Sequence, residues 1–130
     1  MNTKLVMTAS AIILGFTGIL LTFIPDEIIN YLNMETNKTT VFLMQIIGAL
    51  YFAFAMLNWM KRTRLIGGIY NRPTAIANFT HFLIAGLALI KGLISNTSLS
   101  YSIWTVAIFY GIFGISFGTI LFSQPKNEIE

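Results

Sequence analysis

Polar side chains inside long apolar runs are where this chain could do chemistry, because a hydrogen-bonding group in hydrocarbon costs free energy unless it is paired. The positions are Gln45 and Asn58, then Asn78, Thr80 and His81, then Ser116 and Thr119. His81 is the only histidine, and the only one of these groups whose ordinary pKa lies near neutrality. Asn78 precedes it by three residues and shares its helical face, which Ala85, Ala88 and Gly92 continue with small side chains. The spacing predicts a narrow groove, polar at the His81 end, with His81 about 12 Å along a helix from Pro73. Asn58 ends the preceding apolar run and is expected to approach Asn78.

Two chemistries suit this set. Asn58, Asn78 and His81 can simply hydrogen-bond one another across helices, at about 0.6 kcal/mol per pair. Alternatively His81, Asn78, Asn58 and Gln45 form a ligand site for a lipid headgroup or a quinone-type carbonyl. One histidine without a second strong ligand specifies no coordination sphere, so no metal site is expected, and Met56 and Met60 read as packing residues. The chain has no cysteine, which removes thiolate nucleophiles, disulfides and cysteine-ligated metals. No Asp or Glu falls inside an apolar run. A proton-coupled exporter would need a carboxylate near mid-membrane, and a carboxylate metal site would need several. No catalytic residue is assigned, and no particular cofactor is specified.

The elements that must position these groups follow from composition. Only 10% of the 130 residues are charged and 55% are hydrophobic, less than half the usual ~25% charged share of a soluble domain. A lipid crossing needs about 20 mostly apolar residues. Four segments qualify, at 5–24, 40–60, 74–94 and 101–122. They predict an all-α, four-helix membrane bundle of antiparallel spans forming one domain over 1–130. The first run exceeds a signal-peptide core and lacks a small-x-small cleavage site, so it reads as a retained helix. Between the first two spans, Pro25-Asp26-Glu27 opens a short interfacial helix with Ile28, Ile29 and Leu32 on one side and Asp26, Glu27, Asn30 and Asn33 on the other. Asn37-Lys38-Thr39 matches a glycosylation sequon, a pattern common by chance.

Orientation follows the cations. Lys4, Lys61, Arg62, Arg64, Arg72 and Lys126 would share one side, against Lys38 and Lys91 on the other. This split predicts cytoplasmic termini and a cytoplasmic 61–73 hairpin, with Arg62, Arg64 and Arg72 facing headgroups and Trp59 and Tyr70 at the interface. The glycines Gly67 and Gly68 permit a turn there. Lys91 lies one turn from the far end of its span, where its ammonium can snorkel to headgroups. The net charge of +3 is therefore explained by topology, and nucleic acid is not an expected partner.

Two spans carry small residues at matching offsets: Ala11, Gly15, Gly18 and Thr22, and Ala107, Gly111, Gly114 and Gly118. Such stripes let helix backbones approach closely, which is the main source of contact energy in lipid. They serve packing inside the bundle or, at Gly114-xxx-Gly118, a homo-oligomer face.

Size, four spans, Gly15 and Gly18 in the first helix, and the stretch QIIGALYFAFAMLNWM at 45–60 resemble small four-span bacterial membrane proteins of the DoxX-like type. The resemblance implies an inner-membrane protein, in some cases associated with oxidoreductase complexes. The expected function is an accessory or subunit protein, more a binder than an enzyme, whose partners are membrane lipids, further copies or a membrane complex. A binding or redox-accessory module for a hydrophobic cofactor such as a quinone is the alternative. A small-solute transporter or channel fits less well, since no proline breaks a span.

Overall fold

A computed structural model of the chain describes residues 2–63 and 71–123. Among these the fold is all-α, with no strand, in the order α1 (Thr3–Phe23), α2 (Pro25–Tyr31), α3 (Lys38–Lys61), α4 (Arg72–Ser95) and α5 (Tyr101–Phe122). The helices α1, α3, α4 and α5 are each long and apolar enough to cross a membrane, which makes this a multi-pass membrane protein. The span boundaries read from hydropathy agree with the helices to within two residues. The chain divides into two compact units, one of Met7–Arg62 and one carrying α4 and α5.

In the first unit α1 and α3 meet over glycine. The Gly18 backbone lies so near α3 that a Cβ placed there would sit 2.8 Å from the Gly48 carbonyl oxygen and 2.8 Å from the Phe52 nitrogen. Contact continues at Gly15, whose added Cβ would lie 3.4 Å from Ala55 Cβ. The small-residue stripe of α1 thus faces α3, and the residue opposite it is Gly48.

The connection between these helices is closed by local chemistry. Pro25 opens α2, which buries Pro25 and Ile29 and exposes Asp26, Glu27 and Asn30, the amphipathic division expected. Asn33 ends it at φ 54°, with Asn33 N–H donating to Asn30 O at 3.0 Å and Met34 N–H to Ile29 O at 3.1 Å. That is a Schellman closure, in which the left-handed position is taken by asparagine, one of the few side chains tolerated there. Asn37 caps α3, its Oδ1 accepting from Thr40 N–H at 2.9 Å and from Thr40 Oγ1 at 3.1 Å.

In the second unit α4 and α5 form an antiparallel hairpin around an aromatic seam. Phe82 stacks on Phe113 (centroids 5.0 Å, 28°) and on Phe117 (5.6 Å, 8°), and meets Tyr110 edge-on at 5.2 Å. The helices come closest at Gly118, where an added Cβ would stand 3.1 Å from the Phe79 ring; at Gly86 and Gly114 it would make ordinary contacts, 3.6 Å from Tyr110 Cβ and 3.8 Å from the Phe82 backbone. In α5 it is Gly118 that makes room for an aromatic ring, that of Phe79, whereas the glycines Gly18 and Gly48 of α1 and α3 bring backbone against backbone.

Candidate functional site

Some polar groups within the spans find partners on a neighbouring helix, as Asn58, Gln45 and His81 do, and others on their own helix, as Asn78, Thr22 and Thr119 do. Asn58 is fully buried in the first unit and donates through Nδ2 to Ser10 Oγ at 3.0 Å; Ser10, also fully buried, donates to Met7 O at 3.0 Å. Gln45 Nε2 donates to Thr22 O at 3.4 Å. Because α1 stops at Phe23 ahead of Pro25, the last carbonyls of α1 lack helical donors, and Gln45 serves one of them from α3. Thr22 itself bonds back to Gly18 O at 2.8 Å.

In the second unit Asn78, fully buried, donates to Thr74 O at 3.0 Å. His81 Nε2 lies 3.2 Å from the Tyr110 hydroxyl, with the two rings 5.5 Å apart and Phe82 edge-on to His81 at 5.1 Å. Imidazole and phenol can each donate or accept, so the pair forms one hydrogen bond in either direction. Among the described residues no buried side-chain nitrogen or oxygen lacks a hydrogen-bond partner. Thr80 and Thr119 are exposed, and Thr119 bonds to Ser116 O at 2.8 Å.

The residues proposed from sequence are thus distributed over the fold. His81 and Asn78 share α4, while Asn58 and Gln45 are packing groups of the α1–α3 pair. Sequence reasoning missed Ser10 and Tyr110. The signal for Tyr110 was available: it stands nine residues inside a 22-residue helix, too deep for an interfacial ring, so its hydroxyl demands a partner.

A groove of ≈ 330 Å³ runs beside this pair. Its walls are Phe79, Phe82, Leu83, Gly86, Leu87 and Ile90 of α4 and Tyr110, Gly111, Gly114, Ile115 and Gly118 of α5, so its surface is almost wholly apolar. Tyr110 belongs both to the groove wall and to the hydrogen-bonded pair, whereas His81 does not line the groove. This is a different face of α4 from the one expected: Ala88 and Gly92 are exposed, and a Cβ at Gly92 would meet nothing within 4 Å.

Of the cations expected to face headgroups, Arg62 folds its guanidinium over the Trp59 ring, 3.6 Å from the centroid, and donates to Trp59 O at 2.7 Å. The charge thus closes the end of α3 while stacking on an aromatic face. Arg72 is exposed at the start of α4. Arg64, Gly67, Gly68, Tyr70 and Lys126 lie outside the described residues.

No protein-family model, curated protein or solved structure matches this chain.

Proposed function

We propose that this is an inner-membrane accessory or subunit protein that holds a membrane lipid against the α4–α5 hairpin, with both termini in the cytoplasm. The observation carrying the reading is the ≈ 330 Å³ apolar groove between two helices that are each long enough to span a bilayer. Hydrocarbon is the solvent such a surface meets, and a groove floored by glycine retains a chain better than a smooth helix face does. The DoxX-like resemblance is consistent with an accessory role in a membrane complex.

Native mass spectrometry of the chain purified in mild detergent tests this. One lipid retained per protein is the expected result. Release of every lipid under conditions that keep the fold would overturn the reading.

The second reading, a quinone-type cofactor, is favoured by a separate observation: the His81–Tyr110 hydrogen bond at mid-span, beside the groove that Tyr110 lines. A ligand carbonyl could exchange into that bond while its isoprenoid tail occupies the groove. His81→Gln keeps one donor and one acceptor but not the ring. If the pair binds a cofactor, His81→Gln and His81→Leu both fold and lose it. A stable His81→Leu protein that keeps every bound component leaves His81 with a packing role only.

The orientation rests on the distribution of Lys and Arg. Reporter fusions at Glu130 and within residues 31–38 should therefore report opposite compartments. Glu130 on the outer side would reverse the assignment.

A further inference from the structure

The groove continues. A second cleft of ≈ 280 Å³, lined by Ile90, Leu93, Ile94, Trp104, Ala107 and Ile108, shares Ile90 with the first. The two follow the α4–α5 seam from Phe79 to Ile94, about 22 Å at 1.5 Å per residue. One leaflet is about 15 Å deep, so an extended acyl chain entering beside Trp104 stays within the seam for its whole depth. The slot is apolar along its length. Its floor is vacant at Gly111, where a Cβ would meet nothing within 4 Å.

The mouth is chemically marked. Lys91, exposed, follows Ile90 in sequence on the last turns of α4 without itself lining either cleft, and Trp104, 43% exposed, lines the outer cleft. An ammonium on a long stem and an indole N–H at the end of an apolar slot suit an anionic phosphate above an acyl chain.

We propose that the α4–α5 seam binds an anionic diacyl phospholipid, one acyl chain lying over Gly111 and Gly114 and the phosphate at Lys91 and Trp104. This deepens, and rests on, the lipid-binding reading above by naming the headgroup class and its anchor.

The test uses the full chain, delipidated in detergent and titrated with phosphatidylglycerol or phosphatidylcholine of identical acyl chains, with bound lipid counted by native mass spectrometry. Phosphatidylglycerol should be held about fivefold more tightly, the worth of one cation near a headgroup. Lys91→Gln should erase that preference while lipid is still bound. Gly111→Leu should fill the groove and lose both lipids with the helices intact, since its side chain enters open space. Gly92→Leu, also in open space but not on the groove, should bind as the native chain does. Equal retention of the two lipids by the native chain, or an undiminished preference in Lys91→Gln, would overturn the headgroup assignment while leaving the lipid-binding reading standing. Absence of any bound lipid would overturn both. Conversion of a dimer to a monomer by Gly111→Leu, with lipid content unchanged, would assign the groove to a second copy and overturn the proposal.

Discussion

Replacing Gly48 with alanine should destabilise the α1–α3 pair by about 3 kcal/mol, the upper end of the usual cost of overpacking a close contact. The added Cβ would meet Thr22 Oγ1, and would lie 2.8 Å from Gly18 O and 2.9 Å from Thr22 N. The last two are backbone atoms, which cannot rotate aside as a flexible side chain can. Relief requires the helices to separate, and separation also stretches the bonds from Gln45 to Thr22 and from Asn58 to Ser10. Gly18→Ala should behave alike for the same reason. Gly114→Ala and Gly111→Ala are the controls. A Cβ at Gly114 makes only ordinary contacts of 3.8–3.9 Å, and at Gly111 it enters open space, so both should be neutral or gain the ~0.5–1 kcal/mol of replacing a mid-helix glycine. Unfolding midpoints in denaturing detergent compare the four. A native midpoint for Gly48→Ala would mean that the crossing is looser than a 2.8 Å approach to the Gly18 carbonyl requires.

Phe82→Ala should cost about 3–5 kcal/mol, the range for emptying a buried aromatic site. Phe82 is 2% exposed and is the ring shared by Phe113, Phe117, Tyr110 and His81. Four ring contacts are lost together, and the groove that Phe82 lines becomes wider. The neighbouring Leu83, 40% exposed, presents much of its surface outward, so Leu83→Ala should cost less than about 1 kcal/mol. Equal midpoints for the two variants would show that the seam does not carry the hairpin. Near-ultraviolet circular dichroism of Phe82→Ala should also lose intensity, because Tyr110 is no longer held edge-on.

Several features were legible residue by residue. Twenty-residue apolar runs can satisfy their backbone in lipid only as helices, so the four spans follow from composition alone. The short amphipathic α2 follows from Pro25, two acidic residues and the spacing of Ile28, Ile29 and Leu32. Lys91 near a helix end and the small stripes of α1 and α5 were equally visible. The stripes, however, look the same in sequence and act differently. In α1 the stripe opposes Gly48 and closes two backbones together. In α5 the stripe makes room for the Phe79 ring at Gly118, packs at ordinary distance on the Phe82 backbone at Gly114 and, at Gly111, faces open space.

Hydropathy and charge by themselves determined the class of this protein, its number of spans, its helix boundaries and the short list of polar side chains that must find partners. These properties depend on each segment and its solvent, and each segment contains the information. Pairing was decided only by the tertiary structure. It gave Asn58 to Ser10, Gln45 to the open end of α1 and His81 to Tyr110, and it turned Phe79, Leu83 and Gly86, in place of Ala88 and Gly92, toward the groove. A helix in lipid presents an apolar surface all around, so no amphipathic stripe announces which face meets a neighbour. That choice rests on the fit of glycine against backbone and of ring against ring, a property of two helices at once.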